Sequence, residues 1–462
     1  MVSSQRIGHA LRSPVAYLSL TGAVGGLIGL IRALVTADVL GPEQLGVMAV
    51  VAGVFRGAQT FFDVRLADLS CQLYYRTDPA ADVDLPTYRS SVLILCLAGN
   101  GLLSLCAAGL GIVASMCCLS LFTASPIPIS WLIAQAGITI AASLGNTSSF
   151  LQRLSEQHRT MGRWQLVNQT VFLLLLLPPL IWTASISGYY LGCVLASVVT
   201  TAMSVGILHR LCRRHLDLPM PGRHWTCAWS DYRSRCGALF FCNLLGYGKM
   251  LHRGCDVLLV GFFAGDRLTG IYRLARSLTD GVGILSDAMN QVYWPRLLEL
   301  LRRDDKRAFR FETRRLLLGS AGITAGLLLL QIWTLPLLNT YVLSAEYSGI
   351  TLLMLLLTVP FLFTAGFHLW IWPIVVHREY LPQFTTYSGI AVAAHYGVAL
   401  AGLAWLPNTV LPAAVAYLAY YPFLYFLTYW KLRQTCPEWT PFSGRLWLSH
   451  RLDHHPREGT AL

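Results

Sequence analysis

Charge is scarce in this sequence. Asp, Glu, Lys and Arg together make up 13% of 462 residues, about half the roughly 25% of soluble domains. At this length a water-soluble protein would need two or three cores, each under its own polar surface. The residues for that surface are missing. No G-x-x-x-x-G-K-[ST] loop occurs, so ATP bound by this chain is excluded as an energy source. The 12 cysteines form neither an evenly spaced framework nor a zinc pattern, and all are expected to be buried thiols. Segments of alternating polarity, which would mark an outer-membrane barrel, are also lacking. Lysine is nearly absent, 3 residues against 32 arginines.

What is present is apolar sequence in long runs. Hydrophobic residues fill 55% of the chain, and about 20 consecutive ones suffice to cross a bilayer. Twelve runs qualify: 14–35, 44–66, 88–115, 128–150, 163–183, 187–208, 235–263, 268–295, 313–335, 349–372, 384–405 and 409–430. The expected fold is an all-α membrane protein of about twelve spans in two parallel six-helix lobes around a central cavity. The N-terminal lobe is 1–210, a cytoplasmic linker 211–234, the C-terminal lobe 235–432 and a cytoplasmic tail 433–462. The first run is long enough to remain as a span, and no cleavable signal is read ahead of it.

Basic residues test that count, because cytoplasmic loops collect Lys and Arg. With the N-terminus inside, 28 of the 35 basic residues fall on inner segments and one, Arg267, on an outer loop. The other six lie within spans. Both ends are therefore expected in the cytoplasm. The net charge of +12 is a topology signal and not a nucleic-acid footprint. The stretch 296–315, with Leu297, Leu298, Leu301 and Phe309 among many charges, reads as an amphipathic linker lying on the inner leaflet. Membrane lipids are thus one expected partner.

The halves repeat. Leu40-Gly41-Pro42-Glu43-Gln44-Leu45-Gly46 aligns with Ala264-Gly265-Asp266-Arg267-Leu268-Thr269-Gly270 at a shift of 224 residues. The same shift sets Arg32 on Asp256, Arg56 on Asp280 and Asp63 on Asp287. Six spans between equivalent loops mean parallel repeats, a known transporter plan.

Charges inside spans mark function, because each costs about 2.5–3.5 kcal/mol to insert. Lys249, His252, Arg253 and Asp256 share one helix face at i, i+3, i+4 and i+7, and Arg56, Gln59, Thr60 and Asp63 repeat that spacing. Arg273, Arg276, Asp280 and Asp287 line the next span, and Arg32 lies in the first. The later spans of each half are quieter. Structural ion pairs such as Arg32–Asp256 or Arg253–Asp280 are one reading. The other is a binding site. Arg32, Arg56, Lys249, Arg253, Arg273 and Arg276 outnumber Asp63, Asp256, Asp280 and Asp287, and that surplus suits an anion such as a phosphate. The carboxylates are candidates for ion pairing or for coupling to H+ or Na+. Asn146-Thr147-Ser148 matches a glycosylation acceptor but falls within a span, which removes it. His368, His395, His450, His454 and His455 read as packing or surface, with no metal site.

Asp256-Val-Leu-Leu-Val-Gly261-Phe-Phe-Ala-Gly265 followed by Gly270-Ile-Tyr272-Arg-Leu-Ala275 resembles the seventh-to-eighth helix signature of bacterial polysaccharide flippases. Leu40 to Gly46 resembles their first-to-second helix loop, and Pro295 closes span eight as in that group. The group covers O-antigen and exopolysaccharide flippases of the multidrug/oligosaccharidyl-lipid/polysaccharide exporter superfamily. The resemblance implies a flippase that carries a polyprenyl-diphosphate-linked oligosaccharide from inner to outer leaflet of the bacterial inner membrane by alternating access. It implies no cofactor, with coupling to an H+ or Na+ gradient or to membrane potential left open. It names the lipid-linked glycan as substrate and a polysaccharide polymerase with export machinery as partners. Arginines of helices one, two and eight engage the diphosphate in that group, and Arg32, Arg56, Arg273 and Arg276 lie in matching helices. A cation-coupled multidrug exporter is the alternative, with Asp256 or Asp287 in the cavity. A membrane-embedded polymerase or glycosyltransferase would need catalytic residues in a large outer loop. The longest outer loops hold only Glu346, and the first outer loop adds an Asp38/Glu43 pair.

Overall fold

A computed structural model describes residues 14–62, 66–74, 84–154, 158–215, 223–234, 243–244, 246–248, 251–341 and 343–441, the last apart from 344, 348, 362–369, 372–373, 376–379 and 407. Every labelled element is a helix: α1 Pro14–Phe62, α2 Leu66–Tyr74, α3 Leu85–Cys118, α4 Ile129–Leu154, α5 His158–Thr183 and α6 Ile186–His215. Then come α7 Arg223–Ser234, α8 Asp256–Arg302, α9 Lys306–Tyr341, α10 Ile350–Thr358, α11 Leu381–Trp405 and α12 Leu411–Thr435. Among the described residues there is no strand. In hydrocarbon only a helix or a closed barrel satisfies every backbone N–H and C=O.

Two of these helices are bent pairs of spans. Gly41 (φ +71°) breaks α1 and Gly265 (φ +77°) breaks α8. Positive φ is open to glycine at little cost, and Pro42 starts the second limb of α1 with φ already fixed. The two breaks meet. A Cβ on Gly46 would collide with the carbonyl oxygen of Asp266, and one on Gly270 with the carbonyl oxygen of Pro42. With these bends the chain makes about twelve crossings in two halves. The first half is built on α1 with α3–α6, the second on α8 with α9–α12, and α1 against α8 is the main seam.

Ala37, Leu40 and Leu45 of α1 bury themselves with Val257, Val260 and Leu278 of α8 along that seam. Large apolar side chains elsewhere face outward, as a lipid solvent allows. Trp182, Trp333 and Trp405 stand almost bare near the ends of α5, α9 and α11, the place of an interfacial aromatic belt.

Away from the spans, α7 docks on the first half. The Tyr88 hydroxyl donates to Asp231 at 2.6 Å, and the hydroxyls of Tyr232 and Ser70 share a 2.6 Å hydrogen bond. Asp84 caps α3 by accepting from the Thr87 N–H at 3.2 Å.

Two sequence expectations are corrected. The apolar side of 296–315 does not lie on a leaflet. Leu297, Leu301 and Phe309 are buried in protein, and the Phe309 ring meets Trp439 edge-on at 5.3 Å. Nor are all thiols buried: Cys96, Cys193 and Cys436 are, whereas Cys106, Cys117 and Cys118 are exposed. The tail beyond 441, with His450, His454 and His455, lies outside the described residues, as does His368.

Candidate functional site

A cavity of about 720 Å³ opens inside the first half and is closed on one side by α8. Small residues create the room. Gly22, Gly25, Gly26 and Gly29 recur at helical spacing along the first limb of α1 and line it. Beside Gly29 there is open space, and a Cβ on Gly25 would only touch Gln169 at 3.7 Å.

Opposite the glycines stands a neutral polar wall. Gln165, Asn168, Gln169 and Phe172 of α5 sit at i, i+3, i+4 and i+7 and face the cavity together. Asn146 and Ser149 of α4 and Ser197, Thr200 and Ser204 of α6 continue it. From α1, Thr36 adds a hydroxyl that is 4% exposed and has no hydrogen-bond partner among the described residues. Oδ1 of Asn168 likewise has no hydrogen-bond partner among the described residues.

Charge enters from two sides. Arg32 of α1 and Arg273 of α8 are half-buried and both line the cavity, joined by the exposed carboxylate of Asp280. The Arg32 guanidinium lies over the Phe172 ring at 5.1 Å, a cation–π contact that orients it without neutralising it. Among the described residues the lining carries two cations and one anion, a net positive charge. Arg56 is exposed, lies outside the cavity lining and is near enough to Arg273 to feel its charge.

Arg276 lies only three residues from Arg273 yet turns into the second half. Its Nη2 is 3.7 Å from Oδ2 of Asp256, and the two side chains are 2% and 1% exposed. The Tyr272 hydroxyl donates to that same oxygen at 2.7 Å. The guanidinium stacks on the Tyr417 ring at 3.9 Å, and the His395 ring packs against Tyr417 and Tyr420. Asp256 is thus the partner of Arg276 and does not face Arg32.

Of the remaining candidates, Asp63 and Lys249 lie outside the described residues, as do the side chains of Arg253 and Asp287. The sequence reading put the polar faces on spans one, two, seven and eight and passed over spans four to six. Those spans carry most of the cavity's hydrogen-bonding groups. The signal was there in the spacing of Gln165, Asn168 and Gln169, but a search for charge does not register amides.

No protein-family model and no curated sequence matches the chain. Solved structures do. One is the lipid II flippase MurJ in an inward closed conformation, 14% identical, with 90% of this chain and 87% of that chain covered at a TM-score of 0.63. Another is the MATE multidrug transporter DinF-BH, 14% identical, with 93% and 97% covered at 0.63. A third is a mutant of the Vibrio cholerae MATE transporter VcmN, 12% identical, with 93% and 99% covered at 0.60. Others are described as transporters of the MOP superfamily. The chain therefore has the fold of the MOP-superfamily transporters, multi-pass in the membrane.

Proposed function

We propose that this protein flips a polyprenyl-diphosphate-linked oligosaccharide across the bacterial inner membrane by alternating access, for surface or exopolysaccharide synthesis. The observation that carries the reading is the pair Arg32 and Arg273, one from each half, exposed to one polar cavity whose lining, among the described residues, holds a single acid, Asp280. A diphosphate has no solvent in hydrocarbon. Two guanidiniums lining one cavity replace its hydration shell with charge-assisted hydrogen bonds. Because the two arginines belong to different halves, the rocking of one half against the other changes their separation. The anion is then held in one arrangement and released in the other. The polyprenyl tail stays in lipid outside the helices.

An exporter of organic cations fits this lining less well, because the cavity surplus is positive. The resemblance of Leu40–Gly46 and Asp256–Ala275 to polysaccharide flippases supports the same choice. The fold is shared with a lipid II flippase and with multidrug transporters alike.

The test is reconstitution in proteoliposomes with a fluorescent polyprenyl-diphosphate oligosaccharide, read by its accessibility to an enzyme added outside. Protein-dependent exposure that disappears in an Arg32→Ala/Arg273→Ala double variant supports the reading. Absence of exposure, with gradient-driven efflux of an organic cation instead, overturns it in favour of the exporter.

A further inference from the structure

The geometry points to a sugar-binding subsite on the wall formed by α4, α5 and α6, separate from the arginines and selective for uncharged, hydroxyl-rich rings. The inference rests on the flippase reading and assigns the half of the ligand that Arg32 and Arg273 do not explain.

The wall's chemistry is one-sided. Among the residues that α4, α5 and α6 present to the cavity there is no Asp, Glu, Lys or Arg. Asn146, Gln165, Asn168 and Gln169 are all carboxamides, each offering two donors and an acceptor oxygen within a few ångströms. Vicinal hydroxyls of a sugar both donate and accept, and a row of amides matches them. A flat organic cation has no use for four such groups, and a second phosphate would want positive charge.

The row is also prepared for a ligand. Oδ1 of Asn168 and the hydroxyl of Thr36 are buried at the cavity edge without hydrogen-bond partners among the described residues. Most buried polar groups in proteins are paired, and these two atoms keep hydrogen-bonding capacity to offer beside the amides. The Trp164 and Phe172 side chains flank the amides on α5, and aromatic rings accept the C–H face of a pyranose by dispersion and apolar burial.

Position links this wall to the anion site. Phe172 belongs to the same α5 face as Gln165, Asn168 and Gln169, and its ring carries the Arg32 guanidinium at 5.1 Å. A diphosphate on Arg32 therefore places the sugar joined to it at the amides. The glycine face of α1 leaves width for the ring, with open space beside Gly29. Among the described residues the second half brings Arg273, Leu274, Ser277 and Asp280 to the cavity, so sugar recognition is assigned to the first half.

The experiment compares three probes on the protein in nanodiscs: bare polyprenyl diphosphate, polyprenyl diphosphate carrying a neutral disaccharide, and the free disaccharide. The expected result is a preference of about tenfold or more for the sugar-bearing lipid over the bare one, since sites built to hydrogen-bond hydroxyls reject analogues without them. Asn168→Leu/Gln169→Leu should bring the ratio to about one. Asn146→Leu, on a different helix, should reduce it independently of any folding fault in the first variant. Equal affinity of the unaltered protein for both lipids overturns the subsite and leaves the diphosphate reading standing. Binding of neither lipid removes both. Free disaccharide binding as tightly as the lipid-linked form keeps the sugar chemistry and rejects the lipid-linked source.

Discussion

Gly46 and Gly270 occupy equivalent positions 224 residues apart, and each lies against a backbone carbonyl of the opposite loop, Asp266 for Gly46 and Pro42 for Gly270. The contact is its own image under the repeat. It closes α1 on α8 at the bends, while the cavity opens below them in the first half. In Gly46→Ala the added methyl meets rigid backbone, and such overpacking costs about 1–3 kcal/mol. That is enough to move a two-state equilibrium by about five- to hundredfold. Spin labels at Gln44 and Arg267, in a background without the exposed Cys106, Cys117 and Cys118, should report longer distances in the variant. An unchanged distance distribution would show that the bends are not what holds this arrangement.

Arg276 and Asp256 invite the opposite kind of test. Both are buried, and removing one leaves the other as an uncompensated charge, at a cost of about 3–5 kcal/mol. Arg276→Ala should therefore unfold at lower temperature in detergent and accumulate poorly. Arg276→Met/Asp256→Asn should recover much of the loss, since no bare charge remains. A single variant as stable as the parent would mean that the pair contributes nothing to holding α8 in the second half.

Arg273 and Arg276 also show what the sequence makes legible. The bends at Gly41 and Gly265 announce themselves as matching loops, and the spans as apolar runs, because periodicity and composition are local properties. Which way an intramembrane charge turns is not local. Arg273 and Arg276 differ by three residues, less than a full helical turn. What separates cavity from core is Tyr417 and Asp256, one of them about 140 residues away in sequence. In the sequence Asn146 stands out only as part of a glycosylation pattern inside a span, whereas the fold turns it towards the cavity. Gln165, Asn168 and Gln169 share a helix face that spacing alone reveals, yet spacing does not say whether that face packs or binds. Only the glycines opposite them, about 140 positions away in sequence, tell the two apart.

Arg32 and Arg273 should behave unlike Arg276. They touch the cavity and are only half-buried, so their removal should spare stability. A charge-assisted hydrogen bond contributes about 1.5–3 kcal/mol. Each Ala variant should then weaken binding of the lipid diphosphate by about ten- to hundredfold, with a melting curve like the parent's. Lys at either position should restore only part, because a point charge lacks the planar fork of a guanidinium. Parental affinity in both Ala variants would dismiss the two arginines as diphosphate ligands.

Gly29 offers a plug. Nothing lies within 4 Å of a Cβ built there, so Gly29→Phe enters the cavity without disturbing the packing of α1. Transport should fall to background while the protein remains folded and the Gln44–Arg267 distance stays as in the parent. The result to watch is flipping rate against ring size across Ala, Leu and Phe. A rate indifferent to side-chain volume would place the substrate path elsewhere.

Asp266 sets the pH response of the closed bends. Burial lifts its carboxyl above the ordinary carboxylate range, and neighbouring Glu43 adds to that, against hydrogen bonds from Thr123, Ser125 and the Ala124 backbone that favour the ionised form. When the loops part, Asp266 meets water and its pKa returns toward about 4. The closed arrangement thus binds the proton more tightly than the open one. By linkage it is favoured as pH falls through the raised value, and that advantage fades as pH climbs above it. The Gln44–Arg267 distance should accordingly shorten on acidification from neutral pH towards about pH 4. In Asp266→Asn, which cannot ionise, the distance should stay short across the range. Should the variant instead follow the parental curve, Asp266 is not the group that sets the pH response.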